Sequence, residues 1–127
     1  MEVFFLKICY EPNSNLNKKP TYYVGVEEHI ATMEDGTKVY RKRFFDYSTS
    51  ITSTFILDAS LNLETITPIS MVASVNNAAG VEWRPLPLFF TSNDFIYVDV
   101  QNTGLSLYIN GNVHVSAYNV EITYIKK

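Results

Sequence analysis

Thr32-Met-Glu-Asp-Gly-Thr-Lys-Val-Tyr-Arg-Lys-Arg-Phe-Phe45 decides how this chain is read. Asp35-Gly36 is a tight-turn signal, because glycine accepts the positive φ that a hairpin turn demands. The residues after it alternate as a strand does. Val39, Arg41 and Arg43 fall on one side, and Tyr40, Lys42 and Phe44 on the other. Upstream, Val26, Ile30 and Met33 also fit helical spacing, so a short helical turn competes with a strand there. Two strands joined at Asp35-Gly36, spanning Tyr22–Thr32 and Lys38–Tyr47, is the preferred reading.

Working outward, the downstream chain repeats this pattern. Ser48–Ser53 is a Ser/Thr connection. Thr54–Asp58 is a short apolar strand. Ala59–Glu64 makes a helical turn or a loop, with Leu61 and Leu63 packing inward. In Thr65–Asn76 the strand starts after Pro68, or Pro68 lies on an edge, because proline cannot donate to a ladder. Ile69, Met71, Ala73 and Val75 alternate with Ser70, Val72 and Ser74. Trp83-Arg84-Pro85-Leu86-Pro87 reads as an extended edge segment.

The last third carries the clearest pattern. Ile96, Val98 and Val100 share a face, as do Leu105, Leu107 and Ile109. Asn102-Thr103-Gly104 and Asn110-Gly111 are turns, the second extended into a loop by Asn112–His114. Tyr118, Val120, Ile122 and Tyr124 alternate with Asn119, Glu121 and Thr123. Upstream of the opening stretch, Glu11–Pro20 is a polar, proline-bounded loop. Residues 2–10 read as one more strand, apolar on both faces. That strand belongs to the core, or it is a docking strand (Val3, Phe4, Phe5, Ile8, Tyr10) that extends a partner's sheet. The sum is an all-β chain: an antiparallel β-sandwich or small barrel of eight or nine short strands. An N-terminal strand or arm (1–20) precedes the sandwich domain (21–127).

The bulk numbers agree with one folded domain. The chain has 127 residues, 46% of them hydrophobic and 14% aromatic, with nine tyrosines. That mixture favours strands. A net charge of −3 argues against nucleic acid as a partner, since phosphates call for a basic surface. The lone Cys9 excludes an internal disulfide and reads as a buried small hydrophobe. The opening apolar run is broken by Lys7, which does not read as a signal peptide, and no run reaches the ~20 apolar residues of a bilayer-spanning helix.

Chemistry is hard to find in the pattern. His29 and His114 are far apart, and Glu27, Glu28 and His29 point to alternating sides of a strand, so no metal site is expected. No nucleophile elbow, phosphate loop or dinucleotide fingerprint occurs. Asp94 and Asp99 are the nearest approach to a glycosidase carboxylate pair, against which stand a loop-capping and a solvent-facing aspartate. Neither catalytic residues nor a cofactor are expected. Trp83, Tyr97, Tyr108 and Tyr118 are candidates for stacking on sugar rings, against a core or interface role.

Three stretches also resemble a known family. Glu27–Phe44 is similar to the opening of a small domain at the ends of bacteriophage tail-fibre and minor structural proteins. There, a Glu-Glu pair, a strand, an Asp-Gly turn and an aliphatic-Tyr-x-Lys strand follow one another. Here they are Glu27, Glu28, Asp35, Gly36, Val39, Tyr40 and Lys42. Ala31-Thr32-Met33 stands where that family has Gly-Thr-Trp, so its aromatic is missing. The Trp83–Pro87 segment resembles the aromatic-Arg-Pro-aliphatic-Pro run of the family. The close, Val120–Lys127, resembles its last strand, with Ile125 in place of the usual threonine. The resemblance as a whole spans roughly residues 22 to 126. The resemblance implies a non-enzymatic virion structural protein: a tail fibre, head fibre, decoration or baseplate appendage serving attachment. It further implies a homotrimer, assembled in the host cytoplasm, that contacts other virion proteins. The competing reading is a carbohydrate-binding receptor-recognition module.

Overall fold

The computed structural model describes residues 24–77 and 82–127. These form nine strands and no helix. They are β1 (Glu28–Thr32), β2 (Lys38–Asp46), β3 (Phe55–Asp58), β4 (Ile66–Asn77), β5 (Trp83–Pro85), β6 (Leu88–Phe89), β7 (Phe95–Gln101), β8 (Gly104–Asn110) and β9 (Val115–Lys126). Two antiparallel sheets result, one of five strands in the order β1-β2-β9-β4-β5 and one of four in the order β3-β8-β7-β6. This is the β-sandwich that the alternation predicts.

The Asp35-Gly36 turn forms as expected. Gly36 adopts φ +92°. Thr37 N–H donates to Asp35 Oδ1 at 2.9 Å. β1 and β2 pair across it, so the helical alternative is not adopted. β9 is the hub of the larger sheet, pairing with β2 on one side and β4 on the other. Its inward positions Val120, Ile122 and Tyr124 are fully buried. They meet Ile96, Val100, Leu105, Leu107 and Ile109 of the smaller sheet, with Phe44, Ile66 and Val75 completing the core.

Three expectations need correction. Leu61 is buried, but Leu63 is exposed, in a loop held by Asn62 and Thr65. Pro68 lies inside β4 rather than before it, and of the two readings the edge position is the one adopted. It is tolerated because β5 pairs only with Ser74–Asn76, leaving β4 an edge strand at Pro68. A bulge between Pro68 and Ser70 then resets the alternation, so Ile69 is exposed instead of sharing the inward face of Ala73 and Val75. The N-terminal strand or arm, with Val3, Phe4, Phe5, Ile8, Cys9 and Tyr10, lies outside the described residues.

One charged contact ties the two sheets together. Lys42 sits on the inward side of β2 between Tyr40 and Phe44, and its Nζ donates to Asp58 Oδ2 at 2.9 Å at the end of β3. Both side chains are largely covered, so each charge depends on the other.

Candidate binding site

The alternation that buries Phe44 sends Phe45 to the outer face of the five-stranded sheet. Register then assembles two rows of outward residues across it. One runs Phe45, Asn119, Ser74, and the next runs from Tyr47 through Ala117 and Asn76 to Trp83. Tyr47 and Trp83 stand at the two ends of this row on the same face, and their rings meet at 5.6 Å and 85°, edge to face. Ala117 also lines the hollow beside them. Phe45 stacks on the other side of Tyr47 at 5.4 Å. Tyr47 is 60% exposed and Trp83 44%, which is high for rings of this size.

These rings border two hollows that share Tyr47 and Asn119. The larger, about 800 Å³, is lined by Tyr47, Trp83, Ser74, Asn76, Ser116 and Asn119. The smaller, about 570 Å³, adds Arg43, Phe45 and Glu121. Charge is matched along this rim. Glu121 lies 3.5 Å from Arg41 and 3.9 Å from Arg43, and Arg41 also bonds Glu28 at 3.0 Å. Asn76 Oδ1 is enclosed without a hydrogen-bond partner among the described residues. A buried amide acceptor left this way is uncommon.

Tyr97 and Tyr108 lie elsewhere. They face each other across β7 and β8 on the outer side of the four-stranded sheet, stacked at 4.8 Å, with Phe95 and Phe89 continuing the cluster. Burial, reinforced by Tyr108 and Asp99, pushes the Tyr97 hydroxyl above its ordinary pKa. Tyr118 leaves the candidate set. It points inward from β9, is 8% exposed and packs against Phe55. The four proposed aromatics are therefore one core residue, one pair on the smaller sheet and one tryptophan on the larger. Tyr47, which meets Trp83, and Phe45, which stacks on Tyr47, lie outside that set. Their signal was present: once Phe44 is assigned inward, strand alternation turns the aromatics at 45 and 47 outward together.

A third cluster closes the end of the sandwich. Tyr124 O–H donates to Glu27 Oε1 at 2.6 Å, and Lys126 Nζ reaches Glu27 Oε2 at 2.8 Å while lying over the Tyr40 ring. Burial pushes Glu27 upward, but the bonds from Lys126 and Tyr124 outweigh it and hold the carboxyl below its usual range. Burial and the Glu27 contact push the Tyr124 hydroxyl far up. Every charge here has a partner, which suits a structural clamp better than a reactive site.

Asp94 caps its loop, accepting from Thr91 Oγ1 and from Asn112 N–H, while Asp99 accepts from Gln101 on the outer side of β7. His29 bonds Thr32, and His114 bonds Ser50. Among the described residues no three His, Cys, Asp or Glu side chains gather as metal ligands, and no helix is long and apolar enough to cross a membrane. No family model, no curated protein and no solved structure matches this chain.

Proposed function

We propose that the chain is a non-enzymatic structural protein of a bacteriophage particle, an appendage of fibre, head-fibre or baseplate type that works by attachment. The carrying observation is the placement of large aromatics on both outer faces of the sandwich: Tyr47 and Trp83 on one sheet, Phe89, Phe95, Tyr97 and Tyr108 on the other. Outer faces of this kind are contact surfaces. The resemblance of residues 22–126 to tail-fibre end domains supplies the particle as the setting. In that setting the protein associates as a homotrimer, touches other virion proteins and is assembled in the host cytoplasm. Quantitative mass spectrometry of purified particles tests this. A fixed number of copies per particle, in multiples of three, is expected; absence from purified particles would remove the proposal.

A second reading, a carbohydrate-binding module, is favoured by one specific feature, the Tyr47–Trp83 corner above a polar floor.

A further inference from the structure

We infer that the trough on the outer face of the five-stranded sheet is a binding site for a neutral oligosaccharide, with Trp83 and Tyr47 as its stacking platforms. This deepens the carbohydrate-binding reading and rests on it, and does not depend on the protein residing in a phage particle.

A sugar ring presents two kinds of surface at once, a patch of C–H groups and a rim of hydroxyls. A site for it needs exposed aromatic faces beside hydrogen-bonding groups of both polarities. The trough has both. Tyr47 and Trp83 meet at 85°, so a ring stacked on one is flanked by the edge of the other. Asn76, Asn119 and Ser74 lie on the strands between and beside them, offering amide and hydroxyl donors and acceptors. Asn76 Oδ1, the acceptor without a partner among the described residues, lies in this lining.

The length and charge of the ligand follow from the same geometry. Two hollows meet at Tyr47 and Asn119, one beside Trp83 and one beside Phe45, so the trough takes at least two sugar units in line. The ionic groups along it, Arg41 and Arg43 with Glu28 and Glu121, balance one another. No surplus positive charge awaits a carboxylated or sulfated sugar, and a glycan without charge is the better match. The aromatic cluster of the other sheet differs on this point. Tyr97, Tyr108 and Phe95 stack on each other at 4.8–6.3 Å and spend their faces internally.

The test uses the full chain and a printed array of neutral gluco-, galacto- and manno-oligosaccharides of two to six units beside acidic glycans. Binders are then titrated by the emission of Trp83, the single tryptophan of the chain. The expected result is binding confined to neutral oligosaccharides, with an emission change on titration. Affinity should fall about tenfold or more in Trp83→Ala and in Tyr47→Ala, read by calorimetry. Tyr97→Ala should bind as the parent does, which separates the two faces. Both trough residues are exposed, and an unchanged thermal midpoint in Tyr47→Ala keeps a loss of binding from being a loss of fold. No binding to any neutral oligosaccharide, binding to acidic glycans alone, or full affinity in both trough variants would overturn the inference. Virion incorporation, measured separately, is untouched by any of these outcomes.

Discussion

Tyr124 shows how much one side chain can decide. It is fully buried by its ring, while its hydroxyl holds Glu27 in place. Tyr124→Phe keeps the ring and removes the bond, and should lower stability by about 1–2 kcal/mol in urea unfolding. Lys42→Ala should cost more, about 3 kcal/mol, because Asp58 loses its counter-charge at the junction of the sheets and keeps only its bonds from Ser60. The pH dependence has a defined sign. Burial pushes both Asp58 and Glu27 upward, but hydrogen bonds from Ser60 and Lys42, and from Lys126 and Tyr124, bring them below their usual range. A carboxyl whose folded pKa is depressed stabilises the fold above the ordinary value and loses that contribution as the pH falls through the folded one. The thermal midpoint should therefore drop below about pH 4, and less so in Asp58→Asn measured against its own neutral value. At the other end, the raised Tyr124 hydroxyl stays protonated when the unfolded one ionises, so stability should also decline above about pH 10, and this decline should shrink in Tyr124→Phe. None of these pairings was legible in the sequence. Glu27 and Tyr124 are 97 positions apart, and only the β1–β2–β9 register brings them together.

β9 and the turns carry the fold at the level of elements. Ile122→Ala removes a fully buried side chain from the strand that both β2 and β4 depend on, and should cost about 2–5 kcal/mol. Gly111 adopts φ +87°, and a Cβ there would run into Asp94 Oδ1 and Asn93 O. Gly111→Ala should destabilise by about 1–3 kcal/mol, whereas Gly36→Ala, with open space around it, should lose only the backbone term of about 1 kcal/mol. Comparing the two in one denaturant series checks whether the collision or the φ dominates. At this scale the sequence was readable. Period-two alternation marked β2, β7, β8 and β9, and Asp35-Gly36 and Asn110-Gly111 marked turns, because each pattern is local. What failed was set by tertiary neighbours. Pro68 and Ile69 depend on how little of β4 is covered by β5, and a bulge leaves no mark in hydrophobic periodicity. The binding trough was half legible for the same reason. Trp83 stands out as a lone tryptophan, but its partner Tyr47, with Phe45 stacked on that, lies nearly forty residues away, and only the strand order places them on one face.

The whole molecule is a layered scaffold of two antiparallel sheets, and the proposed function lies on its outer faces. The core has closed around Phe44, Ile96, Leu107 and Ile122, and exposed aromatics remain on both sheets. In the proposed virion setting, removal of residues 1–20 should leave a folded sandwich with a cooperative melt that no longer joins the particle; a truncated protein incorporated at full occupancy would contradict a docking role for Val3, Phe4, Phe5, Ile8 and Tyr10. The most direct measurement is a cryo-electron microscopy map of the parent particle. The account predicts a two-sheet density on an appendage, repeated about a threefold axis, with the Tyr47–Trp83 face turned outward. A complete map in which no such density is present would contradict it.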